Sequence, residues 1–356
     1  MKNVKIVICG LGTVGKEYIA LLADRHSDIE RRYGLCCRIA AAVDIGGAAI
    51  AGDAGGLSAG ELITHLRGGA AIESFRDCGR PGMTGHEAME VADGDILVEM
   101  TPTNLDDGEP GTTHIMTALK RGMEVISANK GPLVLFYREI HETARRHHCG
   151  VHMSAATAAA LPTLDVGTVS LAGASIRSIE GILNGTTNYI LSRMTDDGCR
   201  YDEALREAQK LGIAETHPGY DVEGTDTANK IILIANRLLD GGFTKSDVAV
   251  TGITGITPED IARAGEQDKV IKLIGSAYRT NGTMKLAVAP RSLDRGHPLV
   301  SVNGPEKAVT YTTDTMGDIT VMGGKSSPMG AAAAVLKDMI NACMKKDLPV
   351  HHADLL

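Results

Sequence analysis

Residues 4–23 constrain the fold more than any other stretch. "VKIVICGLGTVGKEYIALLA" is an apolar run, a glycine-rich turn and a helix-like pattern. The turn matches GxGxxG: the first glycine permits a tight turn, the second lets the backbone approach a pyrophosphate, and the third allows close packing of helix on strand. The N-terminus of the helix then presents free N–H groups to the phosphates. We therefore predict a dinucleotide-binding unit with cofactor contacts at Gly10, Gly12, Thr13, Val14 and Gly15.

The second predicted strand, "RIAAAVD", ends at Asp44. A carboxylate at this position accepts hydrogen bonds from the adenosine ribose in dinucleotide-binding folds. Asp44 follows the glycines by more than the usual ~20 residues, because "RHSDIERRYGLCC" lengthens the connection. No Arg or Lys follows in "DIGGAA" to hold a 2′-phosphate, which favours NAD over NADP. An ordinary turn at the end of the strand remains the alternative.

Two further strands fit the same sheet, at residues 95–102 and 123–130, and "GTTHIMTALKRG" reads as the crossover helix between them. Ligands of such sheets bind at the carboxyl ends of the strands. A lysine that closes a strand is usually just solvated, so a functional and a structural role for the lysine after "SAN" are both open. The predicted contacts near the reactive end of the cofactor are Thr101, Pro102, Asn129 and Lys130.

Composition narrows the class of protein. A chain of 356 residues predicts two domains. A formal charge of −8 without a basic run argues against a nucleic-acid partner, and the apolar stretches are too short to span a membrane. The seven cysteines are scattered without a CxxC pair, which predicts reduced thiols in a cytoplasmic protein. The histidines show no spacing typical of a metal site, so no metal is expected.

The second half of the chain contains an unusual polar stretch, "NGTTNYIL", between a predicted strand at 176–183 and a predicted helix. Gly185 would allow the turn, and Thr186 or Thr187 would cap the helix. We expect the hydroxyls and amides of the stretch to face a substrate pocket. Pure capping without ligand contact is the alternative.

A later helix is predicted to begin near Thr225, which places Asp226 and Lys230 four residues apart on one face. A surface ion pair, which contributes little to stability, is the alternative to a functional pair. Carboxylates crowd into the preceding loop and suggest a site for an ammonium-bearing substrate. A lysine with charged neighbours and partial burial can act in proton transfer. The loop carboxylates are Glu215, Asp221 and Glu223.

Taken together, "GLGTVG", "TPTNLDDGEPGTTH", "ANKGPL", "NGTTNYIL" and "AE…P…DVEGTD…K" resemble homoserine dehydrogenase, in its short form without a regulatory ACT domain. The resemblance spans nearly the whole chain. It implies NAD(P)-dependent interconversion of L-homoserine and L-aspartate 4-semialdehyde by an α/β protein that is a homodimer. It also implies a Rossmann domain over 1–149, completed by 322–356, and a substrate-binding and dimerisation domain over 150–321 with an open mixed sheet.

The resemblance also implies residue roles. Lys230 would be the acid/base, and Lys130 would lie near the nicotinamide and the reacting oxygen. Asp226 would complete the catalytic set. The substrate's amino and hydroxyl ends would be bound by Glu215 and Asp226, with Asp221 nearby and Thr186 lining the pocket.

One turn departs from the family. Where relatives show a Glu-Ala-Ser-Val-Gly-Gly-Gly-Ile-Pro-like turn whose glutamate and carbonyls hold sodium, this chain has "SAATAAALP". Ser154 replaces the glutamate, and alanines replace the glycines, which argues against the ion and stiffens the turn. Two alternatives to homoserine dehydrogenase follow: a paralogous dehydrogenase of another small amino or hydroxy acid, and a non-catalytic nucleotide sensor.

Overall fold

The computed structural model describes residues 1–324 and 326–345. Its chain forms two compact units. The first comprises Met1–Ala156 and the described part of the segment that starts at Ser327, and the second is Thr157–Ser326. The last part of the segment 322–356, which the resemblance assigns to the nucleotide domain, lies outside the described residues.

The strands and helices alternate through most of the chain. The strands are β1 Lys2–Cys9, β2 Leu35–Asp44, β3 Gly47–Ile50, β4 Gly79–Pro81, β5 Ile96–Glu99, β6 Glu124–Ser127, β7 Val151–His152, β8 Ile176–Ile182, β9 Val248–Val250, β10 Lys269–Thr280, β11 Thr283–Asp294, β12 Lys307–Thr313 and β13 Asp318–Gly323. The helices are α1 Thr13–Tyr33, α2 Ala59–Arg67, α3 Gly85–Val91, α4 Gly111–Lys120, α5 Lys130–Leu135, α6 Tyr137–Arg146, α7 Ser154–Ala158, α8 Thr163–Asp165, α9 Gly185–Asp197, α10 Tyr201–Lys210, α11 Gly219–Val222, α12 Thr225–Leu238, α13 Pro258–Glu266 and α14 Pro328–Lys345.

The first unit is organised on a seven-stranded sheet with the order β4-β3-β2-β1-β5-β6-β7. The strands from β2 through β1, β5 and β6 to β7 pair in parallel, and β3 and β4 add an antiparallel edge. The central strands are near-continuous apolar runs because helices cover such sheets. One covering helix is α14, whose Met339 packs in the same core as Tyr18 of α1 and accepts a hydrogen bond from its hydroxyl at 3.2 Å.

The second unit contains a six-stranded sheet with the order β13-β12-β8-β10-β11-β9. All its neighbours are antiparallel except β11 and β9. Helices α9 and α12 pack on β10, and the buried face of α12 includes Ile231, Ile232 and Ala235. The predicted α/β class, with a Rossmann-like sheet and a mixed sheet, is confirmed. No helix in the described ranges is long and apolar enough to cross a membrane.

Several local predictions can be compared with the structure. The helix predicted to begin near Thr225 begins at that residue. The expected cap at Thr186 or Thr187 is wrong, because the Asn184 side chain accepts from the backbone N–H of Thr187 and is the N-cap of α9. Gly185 is helical, and a Cβ there would lie 2.7 Å from the Pro305 carbonyl oxygen. Close approach, and not the turn, requires this glycine.

Candidate active site

The glycine-rich turn of the first unit has the geometry of a phosphate cradle. Gly10 has a φ of 94°, and a Cβ on it would lie 2.5 Å from backbone atoms of Met100 and Thr101. A Cβ on Gly15 would lie 2.2 Å from the Gly10 carbonyl oxygen. In contrast, a Cβ on Gly12, the N-cap of α1, would meet nothing within 4 Å. The open approach at Gly12, over the N-terminus of a 21-residue helix, fits a pyrophosphate.

The carboxyl ends of β5 and β6 bring the next predicted contacts together. Asn129 Nδ2 donates to Thr101 Oγ1 at 3.0 Å and to the Pro102 carbonyl oxygen at 3.3 Å. The Asn129 side chain also accepts from the backbone N–H of Gly131 as the N-cap of α5. The sequence predicts that Lys130 closes the strand at 123–130. Lys130 is instead the first residue of helix α5, because β6 ends at Ser127. Asp44 is exposed at the end of β2, as predicted.

The Lys230–Asp226 pair of the second unit is not a surface ion pair. Lys230 Nζ lies 2.5 Å from Asp226 Oδ2, and the two side chains are only 13% and 7% exposed. The same ammonium donates to the carbonyl oxygen of Leu183 at 2.8 Å. A lysine held by two acceptors in a partly desolvated position has the setting of a proton-transfer group.

Asn184 joins this pair to a second carboxylate, that of Asp221; the sequence predicted Asp221 near the site but not this role of Asn184. Its Nδ2 donates to Asp221 Oδ1 at 2.6 Å and to Asp226 Oδ2 at 2.9 Å. Burial raises the pKa of Asp221, and the neighbouring Asp226 charge adds to the effect. The only sequence signal was the position of Asn184 between a strand and a helix, where asparagine is a favoured N-cap.

The remaining predicted substrate residues differ in their placement. Thr186 is buried and donates to the carbonyl oxygen of Ile213 at 3.0 Å, and its hydroxyl is close enough to the Asp221 carboxyl to lower the pKa of that group, against the effect of burial. Glu215 is exposed, and its carboxylate has no hydrogen bond or ion pair to the residues that the structure describes. The structure thus gathers Asp221, Asp226, Thr186 and Lys230, and leaves the Glu215 side chain outside this cluster.

The second asparagine of "NGTTNYIL" is a structural clamp, contrary to the expectation that the amides face substrate. Asn188 Nδ2 contacts three backbone carbonyl oxygens, and its Oδ1 accepts from the buried Lys272 ammonium at 3.2 Å. Lys272 Nζ also donates to one of those carbonyls, at 2.6 Å. Burial lowers the pKa of Lys272 to about 8. The three carbonyls belong to Val302, Gly304 and Glu306, at 3.1, 2.9 and 3.2 Å from Nδ2.

Replacing Asn188 with alanine should lower the free energy of unfolding by about 2–4 kcal/mol, since buried carbonyls and the Lys272 ammonium lose a partner. Urea unfolding measures the change. Gln267→Ala removes an exposed amide and should stay within about 0.5 kcal/mol of the parent. Equal stability of the two variants would show that the clamp contributes nothing.

The two units together have the features of a dinucleotide-dependent oxidoreductase: a phosphate cradle on one and a buried lysine beside carboxylates on the other. The comparisons with known proteins narrow this class. A family model of homoserine dehydrogenase matches residues 162–340. A homoserine dehydrogenase from Methanocaldococcus jannaschii is 38% identical over 336 residues, which cover 94% of this chain and 97% of that protein.

A second relative is the NAD(+)-dependent homoserine dehydrogenase of Pseudomonas canavaninivorans, 33% identical over 346 residues and 96% of each chain. A crystal structure from Archaeoglobus fulgidus, assigned as a homoserine dehydrogenase, has 36% identity and a TM-score of 0.83, and the match covers 95% of this chain and 98% of that one. This chain belongs to the homoserine dehydrogenase family.

It is an NAD(P)-dependent oxidoreductase that acts on a CH–OH group and interconverts L-homoserine and L-aspartate 4-semialdehyde, a reaction of amino-acid biosynthesis. The family and the activity that the resemblance implies are therefore confirmed. Neither the paralogous dehydrogenase nor the nucleotide sensor has support from the comparisons.

Proposed function

We propose that Lys230 is the general acid and base of this homoserine dehydrogenase and that Asp226 positions it. The observation that carries the proposal is the buried ion pair at 2.5 Å, with the Leu183 carbonyl as second acceptor. An ammonium has three N–H donors. Two of them have partners within the described part of the chain, so the third is available to a substrate oxygen.

The chemistry divides between the cofactor and the side chains. When bound, the reduced nicotinamide supplies the hydride that goes to the aldehyde carbon. Lys230, directly or through a water, donates a proton to the alkoxide oxygen as it gains charge, and it takes the proton back in the oxidation of the alcohol. The negative charge of Asp226 stabilises the protonated lysine between turnovers and fixes its direction.

Carboxylates around this lysine suit a substrate that carries an ammonium group. We propose that Glu215, which is exposed outside this cluster, and Asp226 bind the amino and hydroxyl ends of homoserine, while Asp221 and Thr186 line the pocket. Asn184 bridges the carboxylates of Asp221 and Asp226 and fixes their positions, because its amide donates to both.

We propose that residues 1–149 with the C-terminal segment bind the cofactor, and that residues 150–321 bind substrate and form a homodimer. The absence of paired cysteines among the described residues fits a cytoplasmic enzyme. Lys130 would lie by the nicotinamide and the reacting oxygen. The residues proposed to hold the dinucleotide are Gly10, Gly12, Thr13, Val14, Gly15, Asp44, Thr101, Pro102 and Asn129.

Asp226→Asn tests the positioning role. We expect kcat to fall by about 10²-fold, because the amide cannot stabilise the ammonium as a carboxylate does. Steady-state kinetics with homoserine and NAD(P) measure this. Asp202→Asn is the matched control: Asp202 also pairs with a cation four residues away, Arg206, but both side chains are at least 50% exposed. A kcat of Asp226→Asn within twofold of this control would overturn the role.

We propose that Asp44 binds the adenosine ribose, and this contact favours NAD over NADP. Asp44→Ala should raise the KM for NAD by about 10-fold or more, as expected for the loss of a charge-assisted hydrogen bond. The KM for NADP should change little, and NADP thus serves as an internal control. A parallel rise of both constants would instead indicate a general defect of the fold at β2.

A further inference from the structure

A second buried lysine of the catalytic unit, Lys307, has no role in the mechanism above. It is the first residue of β12 and is 2% exposed. Its Nζ donates to the carbonyl oxygen of Ala158 at 2.5 Å. Burial lowers the pKa of Lys307 to about 7; the Lys230 charge acts in the same direction and the Asp226 charge opposes it.

Ala308 pairs with Ile182 in the antiparallel β12–β8 register, so the preceding Lys307 lies opposite Leu183. The carbonyl oxygen of Leu183 accepts a hydrogen bond from Lys230. Lys307 is therefore a neighbour of the proposed catalytic pair.

The carbonyl that Lys307 holds is that of Ala158, the last residue of α7, where the chain leaves this helix for α8. Residues 157–163, which comprise this connection and the helix residues next to it, are called the 157–163 turn below. Tyr311 donates from its hydroxyl to the Thr163 carbonyl oxygen at the other end of this turn, at 2.6 Å. Lys307 and Tyr311 are four residues apart in a strand and so lie on the same face. Within the turn, Ala159 has a φ of 53°, a conformation uncommon for a residue other than glycine. A turn in this conformation needs contacts that hold it.

The residues of this chain do not fit the sodium ion that the resemblance assigns to the turn corresponding to "SAATAAALP". Its glutamate is Ser154 here, and the Ser154 hydroxyl donates to Asp338 Oδ1 at 2.8 Å and accepts from Lys337 Nζ at 2.9 Å. A carbonyl oxygen of the 157–163 turn is already bound by the Lys307 ammonium. A sodium ion beside that ammonium would meet a like charge in a poorly solvated position, which is unfavourable.

We propose that the Lys307 ammonium is a covalently attached replacement for a monovalent cation: it binds the 157–163 turn and sets the positive charge beside the Lys230–Asp226 pair. Ammonium and sodium carry the same charge and are both stabilised by carbonyl oxygen lone pairs. A cation supplied by the chain needs no ion from solution. The enzyme should therefore need no sodium or potassium. Because burial lowers the pKa of Lys307 to about 7, the side chain is charged below that pH, and the measurements that follow are therefore made at or below pH 6.

The expected effect of Lys307 on activity rests on the proposed roles of Lys230 and Asp226. The expected effect on stability does not depend on those roles. The thermal midpoint Tm, measured without substrate, should agree within about 1 °C in sodium, potassium and choline chloride at equal ionic strength, and kcat/KM should agree within twofold. Lys307→Met, which keeps the length but loses the charge, should lower Tm by about 5 °C and kcat/KM by about 10-fold or more.

A variant with a smaller side chain at position 307 distinguishes the effect of the positive charge from the effect of packing. Lys307→Ala leaves room at the turn, so its Tm should rise by about 3 °C when sodium or ammonium chloride replaces choline chloride. Lys210→Ala is the control, because it removes an exposed lysine rather than one held by a buried oxygen acceptor, and it should show no such cation response. If Lys307→Ala does not fold, the wild-type salt series and Lys307→Met still decide.

Three results would overturn the proposal. The first is a threefold or larger rise of wild-type kcat/KM with sodium over choline, which would mean that an ion binds despite Lys307. The second is a Lys307→Met variant with wild-type Tm and activity. The third is equal cation response of the two alanine variants, which would make Lys307 only a structural anchor. A loss of activity in Lys230 variants leaves the Tm series unaffected, so the two hypotheses can fail separately.

Discussion

Lys230→Met is expected to lower kcat for homoserine oxidation by about 10²–10⁴-fold, the range typical of a lost general acid or base. The methionine keeps the length of the side chain and removes its protons. Since the ammonium contacts Asp226 and the Leu183 carbonyl, whereas the cofactor is proposed to bind residues of the first unit, the Kd of NAD(P) should change little. Steady-state kinetics and fluorescence titration of the reduced cofactor measure the two quantities.

Two controls keep the result interpretable. Lys210→Met changes an exposed lysine at the end of α10 and should leave kcat within twofold. Urea unfolding of Lys230→Met should show that the variant is folded, because Asp226 retains the Asn184 amide as a partner. A folded variant with kcat close to that of the wild type would remove Lys230 from the reaction.

Gly12→Val is expected to raise the Kd of NAD(P) by about 10²-fold while leaving Tm within about 3 °C of the wild type. No atom lies within 4 Å of a Cβ at this position, so the protein itself has room for a side chain. The valine side chain would occupy the space of the pyrophosphate, which must approach the backbone of this glycine closely. Binding and stability should therefore separate.

Gly10→Ala provides the contrast. Its φ of 94° and a Cβ only 2.5 Å from the Met100 backbone predict a loss of stability of about 3 kcal/mol or more, together with weaker cofactor binding. Gly60→Ala, in the open first turn of α2, should change neither quantity. Equal Kd values for Gly12→Val and Gly60→Ala would contradict the phosphate cradle.

The local sequence pattern predicted the secondary-structure elements on which the site residues lie. The strand–turn–helix at Gly10 to Gly15 and the start of α12 at Thr225 depend on residues close in sequence, and the hydrophobic period and turn chemistry determine both. The spacing of Asp226 and Lys230 likewise put both side chains on one face. The burial of this pair was not predictable from spacing, because it depends on what the sheet places against the helix.

The missed contacts join residues distant in sequence. Lys272 lies 84 residues from Asn188, and Lys307 lies 149 residues from Ala158. In "KAVTYTT" a leading lysine looks like a solvated strand end. It is buried because β12 lies between β13 and β8, an arrangement set by the order and register of the sheet. A polar residue in "NGTTNYIL" gives no sign of which distant carbonyls it will bind.

Chemical rescue of Lys230→Ala tests the central claim most directly. The shortened side chain leaves space where a small primary amine can take the place of the ammonium beside Asp226. With a series of amines of similar size, the account predicts that kcat recovers in a concentration-dependent manner and that the logarithm of the rescued rate varies linearly with amine pKa. Activity of Lys230→Ala that is unaffected by every amine in the series, in a variant shown to bind NAD(P) and to be folded, would contradict the claim.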